Sequence, residues 1–180
     1  MIHYDHIAKT MSAYLERHPG EADRLAPIGS ALAESDDITF RGTFPGHLTS
    51  SAIVVDPARR ALHLRHNVLG KWLGPGGHLE PGDLSLVDAA VREAVEEAGI
   101  PADQLVLVDD IPADIGVYAI PANAARYEPA HLHFDFRFLL TVADGTAVTL
   151  QTAEVGAFAW LPLAELDPPH LPDRVVQLLG

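Results

Sequence analysis

The chain has 180 residues, 48% hydrophobic and 21% charged, the size and composition of a globular domain able to bury a core without staples. Its 25 acidic against 12 basic side chains give a formal net charge of −13, which excludes a nucleic-acid duplex as partner because no basic footprint exists to neutralise phosphates. There is no cysteine, so disulfides, thiolate metal sites and cysteine nucleophiles are excluded as well.

The first twenty residues scatter His, Asp, Lys and Glu among apolar positions, unlike a signal peptide, and no apolar run approaches the ~20 residues that span a bilayer. The expectation is a soluble cytoplasmic protein with no membrane partner. Residues 3–18 carry Ile7, Met11, Tyr14 and Leu15 at helical spacing, and His18-Pro19-Gly20 stops that helix. A second helix is expected over 21–34, with Leu25, Ile28 and Leu32 on one side and Pro27 and Gly29 interrupting the pattern. From Asp37 onward short runs alternate with Gly and Pro. Residues 47–55 and 61–66 read as strands joined by the turn Asp56-Pro57-Ala58-Arg59. Further strands are expected at 104–108, 115–120, 131–142 and 156–160, and a terminal helix at 171–179. Strands interleaved with a few helices indicate an α/β or α+β domain with a mixed sheet.

Residues 84–98 form one amphipathic helix closed by Gly99. At roughly 100° per residue, Leu84, Val87, Val91, Ala94, Val95 and Ala98 fall in one apolar arc, with Glu93, Glu96 and Glu97 nearly opposite. Like charges three and four apart each cost a helix ~0.2–0.5 kcal/mol. A bound cation turns that repulsion into coordination, and oxygen-only donors suit hard ions such as Mg²⁺ or Mn²⁺. An isolated acidic run would more often be a plain solvated face. Here a glycine-rich turn, Gly76-Gly77-His78, runs directly into it.

Turn and helix together resemble the Nudix box of the Nudix hydrolases, G-x5-E-x7-R-E-U-x-E-E-x-G-U, where U is a bulky aliphatic residue. Gly77 matches the first glycine, Arg92-Glu93 the R-E pair, Glu96-Glu97 the E-E pair, and Gly99-Ile100 the close. Three positions depart from the pattern. Asp83 replaces Glu, eight residues rather than seven separate it from Arg92, and Ala94 is small. The resemblance implies a Nudix fold, a mixed β-sheet sandwiched between helices, over residues 37–180, with residues 1–36 as a helical extension packed on it. It assigns Glu93, Glu96, Glu97 and the Gly77 carbonyl to metal, and Arg92 to orienting the glutamates. The early acid, here Asp83, pairs with that arginine, and Glu96 or Glu97 orients or deprotonates the attacking water. The implied activity is Mg²⁺- or Mn²⁺-dependent hydrolysis of a diphosphate bond in a nucleoside diphosphate linked to another group.

Outside the box, the run from His131 to Phe138 alternates strictly, with Leu132, Phe134, Phe136 and Phe138 as core and His131, His133, Asp135 and Arg137 on the other face. That polar row is either a solvated sheet face or the lining of a substrate cleft in which His133 or Arg137 binds phosphate. His131 and Asp135, about 13 Å apart along a strand, are too distant to share one metal directly. His78 in the glycine turn is a second candidate for phosphate. Glu154 is the candidate for an additional metal-binding or basic acid from outside the box, weighed against an ordinary surface glutamate. Tyr118 lies eighteen residues past Ile100, near where dinucleoside polyphosphate hydrolases carry a tyrosine. Trp72 reads as core packing at a strand end, and His47, His63 and His66 as ordinary strand histidines. An isomerase with this fold would need a cysteine and is excluded.

Two functional classes follow: an active pyrophosphohydrolase on a nucleotide-type substrate, and a catalytically weak Nudix-fold sensor that binds a nucleotide without turnover. The intact Arg92-Glu93 and Glu96-Glu97 favour the enzyme. A homodimer is compatible with the fold, and no residue decides it.

Overall fold

The structure is a computed structural model that describes residues 2–35, 37–151 and 155–180. Helix α1 (Tyr4–Arg17) is capped by His3, whose ring accepts the Asp5 N–H at 3.3 Å, and a 3₁₀ turn at Pro19–Glu21 separates it from α2 (Ala22–Glu34). The second helix continues through Pro27. Burial of Leu25, Ile28, Ala31 and Leu32 on its inner side offsets the hydrogen bond the proline removes, a cost of about 3 kcal/mol.

The strands are β1 (Gly46–Val55), β2 (Arg60–His66), β3 (Trp72–Leu73), β4 (Gly76–His78), β5 (Val106–Leu107), β6 (Asp114–Ile120), β7 (His131–Thr141) and β8 (Val155–Pro162). Helix α3 (Leu86–Ala98) lies between β4 and β5, and α4 (Leu171–Leu179) closes the chain. The sheet runs β3-β2-β1-β7-β5, with β4 also pairing β1, β6 pairing β7 and β8 pairing β2. It is mixed: β1 and β7 are parallel, in register from Gly46–Leu132 to Val55–Thr141, and the other pairs are antiparallel.

Strand alternation divides the residues between two faces. Leu48, Ser50, Ala52 and Val54 of β1 share a face with Phe134, Phe136 and Phe138 of β7, and α3 packs there, where the Ser50 hydroxyl donates to the Leu86 carbonyl at 2.7 Å. Ile53, Val55 and Leu139 lie on the opposite face with Leu171 and Val175 of α4. Helices therefore cover both faces, as expected for the α+β architecture.

Residues of α1 and α2 share the main core, with Ile7, Tyr14, Leu25 and Ile28 buried beside the β7 phenylalanines. A buried polar knot adds to this. Asp114, fully buried at the start of β6, receives His170 at 2.9 Å and Arg174 at 3.1 Å. The Tyr14 hydroxyl accepts from Arg174 at 2.6 Å and donates to Glu21 at 2.7 Å, and Arg24 donates to the Ile115 carbonyl at 2.6 Å.

Three local expectations need correction. Helix α3 begins at Leu86 rather than at Leu84, because Ser85 caps it: its hydroxyl accepts the Asp88 N–H at 3.0 Å. Leu84 therefore falls outside the apolar arc and is 80% exposed. The strand expected over 104–108 shrinks to Val106–Leu107, because Ala102–Gln104 forms a 3₁₀ turn whose Gln104 N–H reaches the Pro101 carbonyl at 2.9 Å. Trp72 is not core: opposite Arg65 on β3, it is 39% exposed.

Candidate active site

The glycine turn expected between strand and helix is itself a strand. β4 pairs with β1 at Thr49–His78, Ser50–Gly77 and Ser51–Gly76, which seats the turn against α3. A Cβ at Gly77 would lie 2.5 Å from Glu93 Oε1, so the missing side chain is what lets the backbone and that carboxylate meet. One residue earlier, the Gly76 N–H donates to Glu97 Oε2 at 3.0 Å. Glu97 is only 8% exposed, so it is drawn into the turn rather than lying on the solvated face that its helical angle suggests.

Arg92 joins the parts. Its guanidinium donates to Asp83 at 3.0 and 3.2 Å, to Glu93 Oε1 at 3.0 Å, to Glu96 Oε2 at 2.9 Å and to the His78 carbonyl at 2.9 Å. One nitrogen, Nη1, serves both glutamates and holds their oxygens close together. Burial opposes the Arg92 charge, but the Asp83 hydrogen bond and the Glu93 and Asp83 charges outweigh it and raise its pKa. The shorter acid and the additional residue before Arg92 thus still allow the pair to close. Asp83, 4% exposed, also accepts the Glu80 N–H at 2.7 Å, which folds the loop onto itself.

The other candidate residues lie on the opposite side of β4. Ser50 and Gly77 face α3, so by alternation His47, Thr49, Ser51, Gly76 and His78 face away from it, toward His133, Asp135 and Arg137 of β7. This face is not a solvated row. Asp135 accepts from Thr49 at 3.0 Å, Ser51 at 2.7 Å and Arg137 at 3.0 Å, and is 7% exposed. Arg137 also donates to the Tyr118 hydroxyl at 2.6 Å and to the Asp167 carbonyl. Burial pushes Tyr118 up to about 12.

Four imidazoles gather at the start of β1. His47 lies 5.1 Å from His78, 5.0 Å from His131 and 4.8 Å from His133, ring centre to ring centre. Burial, then the Arg41 charge and the neighbouring rings, push His78 down to about 3, and burial with His47 and His131 pushes His133 down to about 4. His47, read from the sequence as an ordinary strand histidine, is central to this group. The available signal was that His47 and His133 each stand on the face of their strand away from the hydrophobic core, but their pairing depends on β1–β7 register.

The structure thus brings Gly77, Arg92, Glu93, Glu96 and Glu97 together on one side of β4, and His78, Tyr118, His133 and Arg137 along the other. Glu154 lies outside the described residues.

Residues 45–178 match the family model for the NUDIX domain. The chain is 31% identical over 117 residues to a probable DHNTP pyrophosphohydrolase of Lactococcus lactis, covering 64% of this chain and 68% of that protein. It is 31% identical over 94 residues to the asymmetrical bis(5'-nucleosyl)-tetraphosphatase of Mus musculus, covering 52% of this chain and 57% of the mouse protein. The C. elegans Ap4A hydrolase, solved as a binary complex, superposes with a TM-score of 0.58 at 21% identity, over 73% of this chain and 96% of that one, a likeness of fold.

Proposed function

The chain belongs to the NUDIX family and is a pyrophosphohydrolase of the Nudix type, and we propose that it hydrolyses a diphosphate bond in a nucleoside diphosphate linked to another group, using Mg²⁺ or Mn²⁺. The observation that carries this reading is the convergence of Glu93 and Glu97 on the Gly76-Gly77 backbone. That donor set, three carboxylates to which we add the Gly77 carbonyl, is all oxygen and fits a hard divalent ion. When bound, such an ion neutralises diphosphate charge and lowers the pKa of a water.

The chain's own residues do the rest. Glu93, Glu96 and Glu97 hold the cation, and Glu96 or Glu97 takes the proton as a water oxygen attacks phosphorus. The bridging P–O bond breaks and a phosphate leaves, with no covalent intermediate on the protein. Arg92 is a positioning residue that holds Glu93 and Glu96 from one nitrogen. His78, Tyr118, His133 and Arg137 form the surface on which we place the remainder of the substrate. Residues 1–36 are taken as a helical extension of the domain at 37–180, outside the matched segment. No helix among the described residues is long and apolar enough to cross a membrane. A cytoplasmic setting and a homodimer belong to the same proposal.

The test is phosphate release, coupled to pyrophosphatase or phosphatase, over nucleoside triphosphates, DHNTP, dinucleoside polyphosphates, ADP-ribose and nucleotide sugars with Mg²⁺ or Mn²⁺. The names of the bacterial and mouse relatives place DHNTP and bis(5'-nucleosyl) tetraphosphates first in the panel. Turnover of one class, abolished in Glu97→Gln, is expected, and Glu154→Gln run alongside tests the additional acid. Inert substrates that still bind would overturn the hydrolytic reading.

A further inference from the structure

We propose that His47, His78 and His133 form a second metal site, distinct from the carboxylates, for a borderline divalent transition ion such as Zn²⁺. One ring nitrogen from each residue lies within 4.8 Å of the other two. A tetrahedral ion about 2.0–2.1 Å from each nitrogen needs them roughly 3.4 Å apart, so small ring rotations close the set. Imidazole donors select zinc, copper, nickel or iron over magnesium. The two sites therefore differ in ligand chemistry as well as in the face of β4 they occupy.

The strongest observation is His47. It is 1% exposed, and its Nε2 has no hydrogen-bond partner among the described residues. Its other nitrogen, Nδ1, lies 3.1 Å from the Thr43 carbonyl. A carbonyl only accepts, so Nδ1 carries the proton and Nε2 presents a bare lone pair among the other rings. A ligating histidine usually has this arrangement, with one nitrogen on the metal and the other anchored on a backbone carbonyl. Leaving a buried acceptor unpaired is unfavourable, and an ion removes that cost.

His131 adds to the arrangement. Its Nδ1 lies 2.9 Å from the Pro129 carbonyl, and its Nε2 lies 3.2 Å from His133 Nε2. It steadies the His133 ring. The Pro129 carbonyl fixes the proton on His131 Nδ1, so His131 Nε2 accepts from His133 and leaves the other nitrogen of that ring for the ion. Arg41, a cationic side chain whose charge influences these rings, is paired with Glu128 at 3.6 Å. Three imidazoles leave a fourth position for water or a substrate oxygen, as in catalytic rather than closed structural zinc sites.

The site does not depend on hydrolysis, so its test needs no substrate. Full-length protein stripped with chelator is titrated with Co²⁺ and with Zn²⁺ in magnesium-free buffer. Wild type is compared with the Glu93→Gln/Glu96→Gln double variant, His47→Gln and His133→Gln. One Co²⁺ per chain with the visible absorption of a low-symmetry nitrogen site is expected in the glutamate double variant, and wild type should show the same absorption beside a second, weakly absorbing Co²⁺ on the carboxylates. Each histidine variant should bind on the order of a hundredfold more weakly. Histidine side-chain NMR of wild type, in which three rings should shift with Zn²⁺, serves if the variants fail to fold. Absence of the nitrogen-site absorption in wild type or in the glutamate double variant, its persistence at equal affinity in the histidine variants, or unmoved imidazole signals would each overturn the assignment.

Discussion

Arg92→Ala perturbs the contact that ties the loop to the carboxylate helix. The substitution strips Asp83, a carboxylate that is 4% exposed, of contacts at 3.0 and 3.2 Å and leaves it the Glu80 N–H as donor at 2.7 Å. It also frees Glu93 and Glu96 from their shared nitrogen and leaves the His78 carbonyl without its donor. Removing one partner of a buried ion pair costs about 3–5 kcal/mol. Arg92 is itself 19% exposed, so water partly compensates and the expected loss is about 3 kcal/mol. For a chain of this length 1 kcal/mol moves Tm by about 2–4 °C, which predicts a drop of roughly 6–12 °C by calorimetry. Asp83→Ala and the double variant complete a cycle, and a coupling of at least about 1 kcal/mol is expected for groups in direct contact. Strict additivity, or an Arg92→Ala loss under about 1 kcal/mol, would refute the claim that this pair holds loop to helix.

Asp83→Glu restores the usual family residue, yet one methylene more in a site already closed by Arg92 should cost about 1–3 kcal/mol, read as a lower urea midpoint. Gly77→Ala puts a methyl 2.5 Å from Glu93 Oε1, so phosphate release should fall on the order of a hundredfold while circular dichroism stays native. Arg174→Ala takes the guanidinium at 3.1 Å from the fully buried Asp114, which keeps His170 at 2.9 Å and Arg24 at 3.6 Å, and should destabilise by about 3 kcal/mol, seen as early release of the N-terminal helices in hydrogen exchange. In chelator, acid should weaken the fold through the imidazole cluster. His133 and His78 titrate near 6.5 when unfolded but are held down to about 4 and about 3 when folded, so their stabilisation is complete above pH 6.5. It is lost as pH falls from 6.5 toward 4 and 3. Partial exposure of both rings limits the effect to roughly 2 kcal/mol, measured from urea midpoints at pH 7, 6 and 5, with His133→Asn flattening the slope.

Helix α4 and strands β1, β2, β6 and β7 were legible to within a residue, because their apolar periods are long and their ends carry Pro, Gly or a tight turn. The box residues were legible because their chemistry is local: Glu93, Glu96 and Glu97 share one helix, and Gly77 and Arg92 stand at short, characteristic spacings. Short elements were not. β3 and β4 have only two and three residues, too few for a period, and exist because β2 and β1 offer them partners.

Local sequence therefore determined which residues form the carboxylate helix and which side chains share a strand face. Tertiary structure decided the rest. The burial of Glu97 required the Gly76 N–H that β1 pairing delivers, and the sides taken by Gly77 and His78 required knowing that β4 is a strand. The imidazole group joins residues up to eighty-six positions apart through the parallel β1–β7 register. Periodicity within a segment reports only which face a residue takes, whereas register between distant strands is set by packing of the whole sheet, and that is why His47 was silent in the sequence.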